Sequence, residues 1–211
     1  MANVKIFQKN SSGEKKLSAN FKVKEFACKD GSNTIKIDYE LVCILQKIRE
    51  VTGKPIIINS AYRTPYWNKV QKGASNSYHL YGRAGDIRGA GLDDITAIAN
   101  SLGVKGIIKY ESFVHVDTRI SKYHVLDKGK VHVTYGRKVI PYCGHVLKQG
   151  STETDVGIVQ FKLAMEGYAV GTVDGIAGTK FDKAVRAYQK NKGLLVDGKV
   201  GINTWNKLFN S

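Results

Sequence analysis

Ser77-Tyr-His79-Leu-Tyr-Gly-Arg-Ala-Gly-Asp86 and Phe113-Val-His115-Val-Asp117 are the two stretches that decide how this chain folds and what it holds. Together they offer two imidazoles and a carboxylate, the ligand set that zinc takes when a fourth position stays open for water. The second stretch alternates as a strand does, so Phe113, His115 and Asp117 share one face. Asp117 can then accept a hydrogen bond from the second ring nitrogen of a ligating histidine, or orient a neighbouring group.

The string S-x-H-x-x-G-x-A-x-D in the first stretch resembles the first zinc motif of the D-alanyl-D-alanine carboxypeptidase family. These zinc peptidases include vancomycin-resistance D,D-dipeptidases and several phage endolysins. Further matches are Leu17-Ser-Ala-Asn-Phe21, Glu25-Phe26 and Ser60-Ala-Tyr-Arg63-Thr-Pro, so the resemblance covers residues 17–120. It implies that His79, Asp86 and His115 hold the zinc ion.

The resemblance also implies catalytic roles for residues near these ligands. Arg63 matches the family arginine that faces the substrate, where a guanidinium can clamp a carboxylate or stabilise an oxyanion. In the family, the general base stands three residues before the last histidine, but this chain has Ser112 there and Glu111 one position earlier. Glu111 is therefore the predicted base, and Ser77 and Tyr62 are predicted supporting hydrogen-bond donors.

The apolar spacing predicts an α+β first domain over residues 1–143. Asp38 caps a helix that Gly53 closes, residues 55–60 form a buried strand, and Thr64 caps a short helix. Residues 92–102 form another helix, and strands follow over 106–110 and 113–118. We expect the ligands on strand edges and loops beside a small antiparallel sheet with helices, in the zinc-peptidase fold shared with the hedgehog signalling domain, as the resemblance implies.

A repeat marks a second module over residues 146–211, because Val173-Asp-Gly-Ile-Ala-Gly178 recurs as Val196-Asp-Gly-Lys-Val-Gly201, each time before a helix. Three short amphipathic helices are predicted, which gives a small all-α domain. The module resembles the peptidoglycan-binding domain at the ends of many wall hydrolases. Residues 144–154 are expected to form a short polar linker and the start of this module, which should fold alone. The wall-binding residues that we assign to the module are Asp174, Gly175, Asp197, Gly198 and Trp205.

Charge and cysteine content narrow the class of protein. The net charge is +15, with 24 Lys and Arg against 12 Asp and Glu before His145, and nine against six from there onward. A basic first domain fits attraction to polyanions, including anionic wall polymers, although diffuse lysines also serve solubility alone. The three cysteines, Cys28, Cys43 and Cys143, include no C-x-x-C pair and are expected to be reduced thiols. No apolar run approaches the length of a membrane span, and no secretory signal is evident.

Both resemblances imply the same substrate, so we expect a zinc peptidase that cuts stem peptides or cross-links of peptidoglycan. The expected biology is a phage or prophage endolysin that is made in the cytoplasm and acts on the wall after release at lysis. One alternative is a D,D-carboxypeptidase of wall metabolism, and another is a non-catalytic wall-binding protein that contains zinc. A nucleic-acid binder is suggested by charge alone, since no specific nucleic-acid motif is present. The sequence does not reveal which peptide bond is cut.

Overall fold

The computed structural model describes residues 3–126, 130–131 and 134–211. The described chain begins with a two-stranded antiparallel sheet, formed by β1 (Val4–Gln8) and β2 (Thr34–Asp38). A one-turn helix, α1 (Lys9–Ser12), and a 3-10 helix, Val23–Phe26, lie between the two strands in sequence. This small sheet was not predicted.

Three helices of the first domain begin and end where the sequence predicts, whereas α1 was not predicted. Helix α2 (Tyr39–Thr52) begins at Asp38, whose side chain accepts a hydrogen bond from the backbone N–H of Glu40, and ends at Gly53. Helix α3 (Pro65–Val70) begins at Thr64, whose hydroxyl accepts from Trp67 N. Helix α4 (Leu92–Leu102) ends at a glycine in the left-handed conformation.

The main sheet has six strands and carries the predicted ligands. In spatial order they are β3 (Ile57–Ser60), β4 (Ala84–Arg88), β6 (Val114–Asp117), β5 (Gly106–Lys109), β7 (Tyr123–Leu126) and β8 (Lys130–Val131). Neighbours run antiparallel except β5 and β7. Residues 118–122 cross the end of β5, so β7 runs opposite to β6 and therefore parallel to β5. The predicted α+β class is confirmed, and the parallel pair is an addition to it.

The C-terminal part contains three helices, as predicted: α5 (Thr154–Met165), α6 (Thr179–Asn191) and α7 (Ile202–Phe209). Two glutamines build the repeated turns in the same way. Gln160 Oε1 accepts hydrogen bonds from the backbone of Asp174 and Gly175, and its Nε2 donates to Asp174 Oδ1. Gln189 makes the same three bonds to Asp197 and Gly198.

The C-terminal helices pack directly on the first domain, and one apolar core runs through both parts. Helix α5 lies on α2 so closely that a Cβ atom on Gly157 would stand 2.4 Å from Cys43 Sγ. Lys47 of α2 pairs with Asp155 of α5, and its ammonium lies 5.3 Å from the centre of the Trp205 ring. The domain boundaries stay predictions. The C-terminal module packs against the first domain and is not connected to it by the linker alone.

Trp205 is completely buried, and its indole N–H donates to the carbonyl of Ile140 at 2.9 Å. It therefore cannot contact a wall polymer, which corrects the role predicted for it. Gly175 and Gly198, the glycines of the two repeated turns, are also buried. The wall-binding roles of Asp174 and Asp197 stay predictions. The three cysteines are free, as expected. Among the described residues, no helix combines the length and apolar character needed to cross a bilayer.

Candidate metal centre

Three buried side chains converge on one point beside the main sheet. His79 belongs to a 3-10 helix, Tyr78–Tyr81, whereas Asp86 and His115 lie directly opposite each other on β4 and β6. Asp86 Oδ1 is 2.9 Å from His115 Nδ1 and 3.2 Å from His79 Nε2, and the two ring nitrogens are 3.2 Å apart. Two of the ligands thus come from central strands of the sheet, and not from strand edges and loops as predicted.

Each of the three predicted ligands forms a hydrogen bond to a specific partner on the side that faces away from the centre. His79 Nδ1 donates to the carbonyl of Ala61 at 2.6 Å, which leaves Nε2 free to bind a cation. His115 Nε2 lies 3.0 Å from Asp117 Oδ2, so Nδ1 faces the centre. The second oxygen of Asp86 accepts a hydrogen bond from Arg63 Nη2. Such outer partners set the tautomer and orientation of metal ligands.

The packing around Asp117 depends on a close approach of two strands. Gly106 of β5 stands opposite Asp117, and a Cβ atom there would come within 2.0 Å of the carboxylate. Arg119 donates two hydrogen bonds to the same carboxylate, from Nε to Oδ1 at 2.8 Å and from Nη2 to Oδ2 at 2.6 Å. The fully buried Asp117 is therefore held between Arg119 and His115, while Gly106 leaves space for it.

The electrostatics of the centre favour a bound positive charge. Burial would raise the pKa of Asp86, but hydrogen bonds to His115 and His79 hold it well below its usual range. Burial lowers the pKa of His79, which favours the neutral form of this ring. Burial also opposes the charged form of His115, but its bonds to Asp117 and Asp86 prevail and raise its pKa to about 9. The same contacts lower the pKa of Asp117 to about 2, although burial acts against them.

The donor set fits a zinc ion. All three ligand atoms lie within 4.8 Å of one another, and all three residues are buried. A tetrahedral ion about 2.0–2.2 Å from each donor separates the donors by about 3.3–3.5 Å, close to the spacing found here. Two imidazoles with one carboxylate leave the fourth position open, as catalytic zinc sites require.

The centre opens into a cavity of about 660 Å³. Three cationic side chains, Arg63, Lys72 and Arg119, line it together with a stacked pair of rings, Tyr110 and Phe113, whose centres are 4.4 Å apart. Among the described lining residues, the only carboxylate belongs to the metal-ligand cluster. The cavity therefore suits a ligand that carries negative charge.

Only some of the residues predicted to act in catalysis line the cavity at the metal centre. Arg63 and Ser77 line the cavity, whereas Tyr62 is buried in the core and does not line it, so a supporting role for Tyr62 stays a prediction and direct contact with a ligand in the cavity is excluded. Glu111 lies at the exposed corner of the turn between β5 and β6 and does not line the cavity. The two ends of that turn, Tyr110 and Phe113, do line it.

The remaining histidines behave as expected where the structure describes them. His124 is buried and bonds to the carbonyl of Val104 at 3.0 Å, and His145 is exposed beside Glu153. His132 lies outside the described residues.

Sequence reasoning missed two features of the site. The carbonyl of Ala61 left no signal in the sequence, since any residue carries one. Arg119 was detectable, because it continues the alternation of His115 and Asp117 by one more step of two residues.

Two family models match the chain. Residues 19–117 match "Peptidase M15", and residues 152–208 match "Putative peptidoglycan binding domain". The zinc D-Ala-D-Ala carboxypeptidase of Streptomyces albus G is 43% identical over 58 residues, which make up 27% of this chain and 22% of that protein. The match thus spans about a fifth of the length of this curated relative.

Solved structures are similar to parts of the chain. The SleB N-terminal domain is 34% identical over 32% of this chain and 93% of that one, with a TM-score of 0.31. A fused Zn-dependent amidase/peptidase/peptidoglycan-binding domain-containing protein from Clostridium acetobutylicum is 42% identical over 32% and 29%, with a TM-score of 0.30. A peptidoglycan-binding protein from Clostridioides difficile is 22% identical over 63% and 54%, with a TM-score of 0.30.

Proposed function

This chain carries a peptidase M15 domain followed by a C-terminal peptidoglycan-binding domain, and on that premise we propose that it is a zinc peptidase that hydrolyses peptide bonds in bacterial peptidoglycan. The observation that supports this most directly is the His79, Asp86 and His115 cluster at the base of a basic cavity. A stem peptide carries carboxylates, so the cationic lining complements it.

The residues of the centre have distinct roles in this proposal. When bound, zinc supplies a Lewis acid and lowers the pKa of its water from 15.7 to about 7. Ala61 and Asp117 hold the two imidazoles in the tautomers that leave one nitrogen each for the metal. Arg63 donates a hydrogen bond to the outer oxygen of Asp86, which orients this carboxylate, and offers its guanidinium to a substrate carboxylate or oxyanion.

Glu111 is proposed as the general base that takes the proton of the attacking water and returns it to the leaving amine. It belongs to the turn whose ends, Tyr110 and Phe113, line the cavity, and the proposed role requires this turn to bring the carboxylate inward when substrate binds. Substitution of Glu111, described below, tests this role.

The finer description of the activity is part of the proposal. We place the chain among wall lysins of phage or prophage origin, with a D,D-carboxypeptidase that trims terminal D-Ala as the alternative. The route by which it reaches the wall stays the prediction made above. A non-catalytic role is disfavoured by the open fourth position of the cluster and by Arg63 beside it.

The test is mass spectrometry of fragments released from purified peptidoglycan of defined structure. The zinc-loaded chain should create new peptide termini, and their masses identify the bond. His115→Ala removes one of three protein ligands and should abolish these products while the protein still sediments with the wall. A wild-type digest with no new termini would reject the peptidase function.

A further inference from the structure

A second groove lies next to the catalytic cavity and shares a wall with it. This groove has a volume of about 580 Å³ and runs between the two-stranded sheet and the 3-10 helix that carries His79. Asn76 and Tyr78 line both the cavity and the groove, so the two spaces adjoin along these two residues.

The groove is anchored to the metal centre through the backbone. Gly82, which ends the 3-10 helix with a φ of +68°, lies so close to β2 that a Cβ atom would stand 2.1 Å from the carbonyl oxygen of Lys36. The carbonyl of Gly82 accepts a hydrogen bond from Asp38 N at 2.9 Å. The position of the groove relative to His79 is therefore fixed by main-chain contacts.

Tyr78 lies between the two spaces, and its ring contacts two guanidinium groups. Arg119, in the cavity, lies 4.9 Å from the centre of its ring, and Arg83, in the groove, lies 5.1 Å from it. Lys36 adds a further cation to the groove. Lys36 forms no ion pair with any carboxylate in the described part of the chain, whereas Arg83 lies 3.4 Å from Asp38 Oδ2.

The floor of the groove is apolar and exposed. Val4 and Ile6 point into it from β1, where Ile6 pairs with Lys36 across the sheet. Tyr81 closes the other side, with 52% of its surface exposed, and Ile6 is 65% exposed. Exposed apolar side chains gathered beside cations are typical of a binding surface for an amphipathic anion.

We propose that this groove is a subsite for the stem peptide beyond the bond that is cut, with Lys36 facing a free carboxylate of the peptide and Tyr81 and Ile6 contacting its apolar parts. The inference rests on the proposed function. The position of the groove beside the cavity favours a peptide as its occupant, because the part of the substrate that adjoins the bond over the metal centre is peptide. The glycan chain is the competing occupant, and the experiment separates the two.

The probes are two synthetic stem pentapeptides without sugar, one with its free carboxylates and one with its side carboxylates converted to amides. Binding is measured by calorimetry with the full chain after treatment with a chelator, so that the peptide is not consumed. We expect Lys36→Glu to weaken binding of the acidic peptide about tenfold, equal to about 1.4 kcal/mol, and to change binding of the amidated peptide less than about twofold.

Matched controls lie close by. Lys5→Glu makes the same charge change one position from Ile6, on the opposite face of β1, and should leave both affinities within about twofold. Tyr81→Ala should weaken both peptides about fivefold. Tyr66→Ala, on an exposed tyrosine that lines neither space, should not.

A third probe is the acidic peptide joined to its disaccharide. Equal effects of Lys36→Glu and Lys5→Glu, or binding of this third probe alone, would overturn the proposal. Cleavage by the zinc-loaded chain is measured separately. If peptide binding depends on Lys36 but no cleavage occurs, the proposed peptidase function is wrong and the peptide subsite stands. If cleavage occurs but does not depend on Lys36, the subsite is wrong and the peptidase function stands.

Discussion

Gly157 is where the contact between the two parts of the protein is tightest, so Gly157→Ala is a sharp test of the docked module. The new methyl would stand 2.4 Å from Cys43 Sγ and 3.6 Å from Tyr39 Cε1. Cys43 is completely buried, so its sulfur cannot move into solvent. Overpacking of this kind costs about 1–3 kcal/mol, while alanine in a helix interior gains about 1 kcal/mol over glycine. We expect a net loss of about 0–2 kcal/mol in the free energy of unfolding.

Urea unfolding of the full chain measures this loss, and a second substitution isolates its cause. Cys43→Ala alone should cost about 1–2 kcal/mol, because it removes a buried sulfur. In the double variant the clash is gone, so its stability should lie within about 1 kcal/mol of the wild type, which gives a coupling of about 2 kcal/mol. Gly136→Ala is the control, since nothing lies within 4 Å of its new methyl. If Gly157→Ala stabilised the protein by about 1 kcal/mol, as at an exposed helix position, the described contact of α2 with α5 would be wrong.

Three further predictions concern single carboxylates. Asp117→Asn should weaken zinc binding about 10–100-fold in a chelator competition, because the carboxylate that orients His115 is lost; unchanged affinity would contradict its positioning role. Glu111→Gln should keep zinc but lose about 10²–10⁴ in turnover on soluble peptides, and a loss below about tenfold would show that another group is the base. Burial, with the charge of Asp38, raises the pKa of Glu40 to about 7, so the native state keeps this proton to higher pH than the unfolded chain does. The contribution of Glu40 to the free energy of unfolding is therefore fully present below the pKa that Glu40 has in the unfolded chain, and it falls as the pH rises toward 7. Glu40→Gln should stabilise the protein by about 2 kcal/mol at pH 8 and hardly at pH 4 in thermal unfolding; equal effects at both values would contradict the shift.

Local signals account for what the sequence predicted correctly. Helix α2 follows from Asp38 at its start, Gly53 at its end and an apolar spacing between them, and each signal acts within a few residues. The ligand triad was predicted because its spacing matches a known motif. The strand alternation then placed Asp117 on the same side as His115, where the structure has it.

Long-range packing explains what the sequence did not predict. Periodicity identifies the apolar face of α5 but not the element that covers it, so the contact of Gly157 with Cys43 left no readable signal. Trp205 was assigned to the wall because it belongs to the pattern that resembles a peptidoglycan-binding domain, yet its complete burial cannot be derived from one residue type. The pairing of β1 with β2 joins segments that are distant in sequence, which no local pattern specifies.

The central claim is that His79, Asp86 and His115 hold one zinc ion on which cleavage of peptidoglycan depends. Its most direct test is a zinc titration of the chelator-treated full chain, followed by the release of new amino groups from purified peptidoglycan. Amine release should rise linearly and reach a plateau at about one zinc per chain, as expected for a site with three protein ligands and an open fourth position. His115→Ala should give no rise over the same range. Amine release at full rate without zinc, or an equal rise in His115→Ala, would contradict the claim.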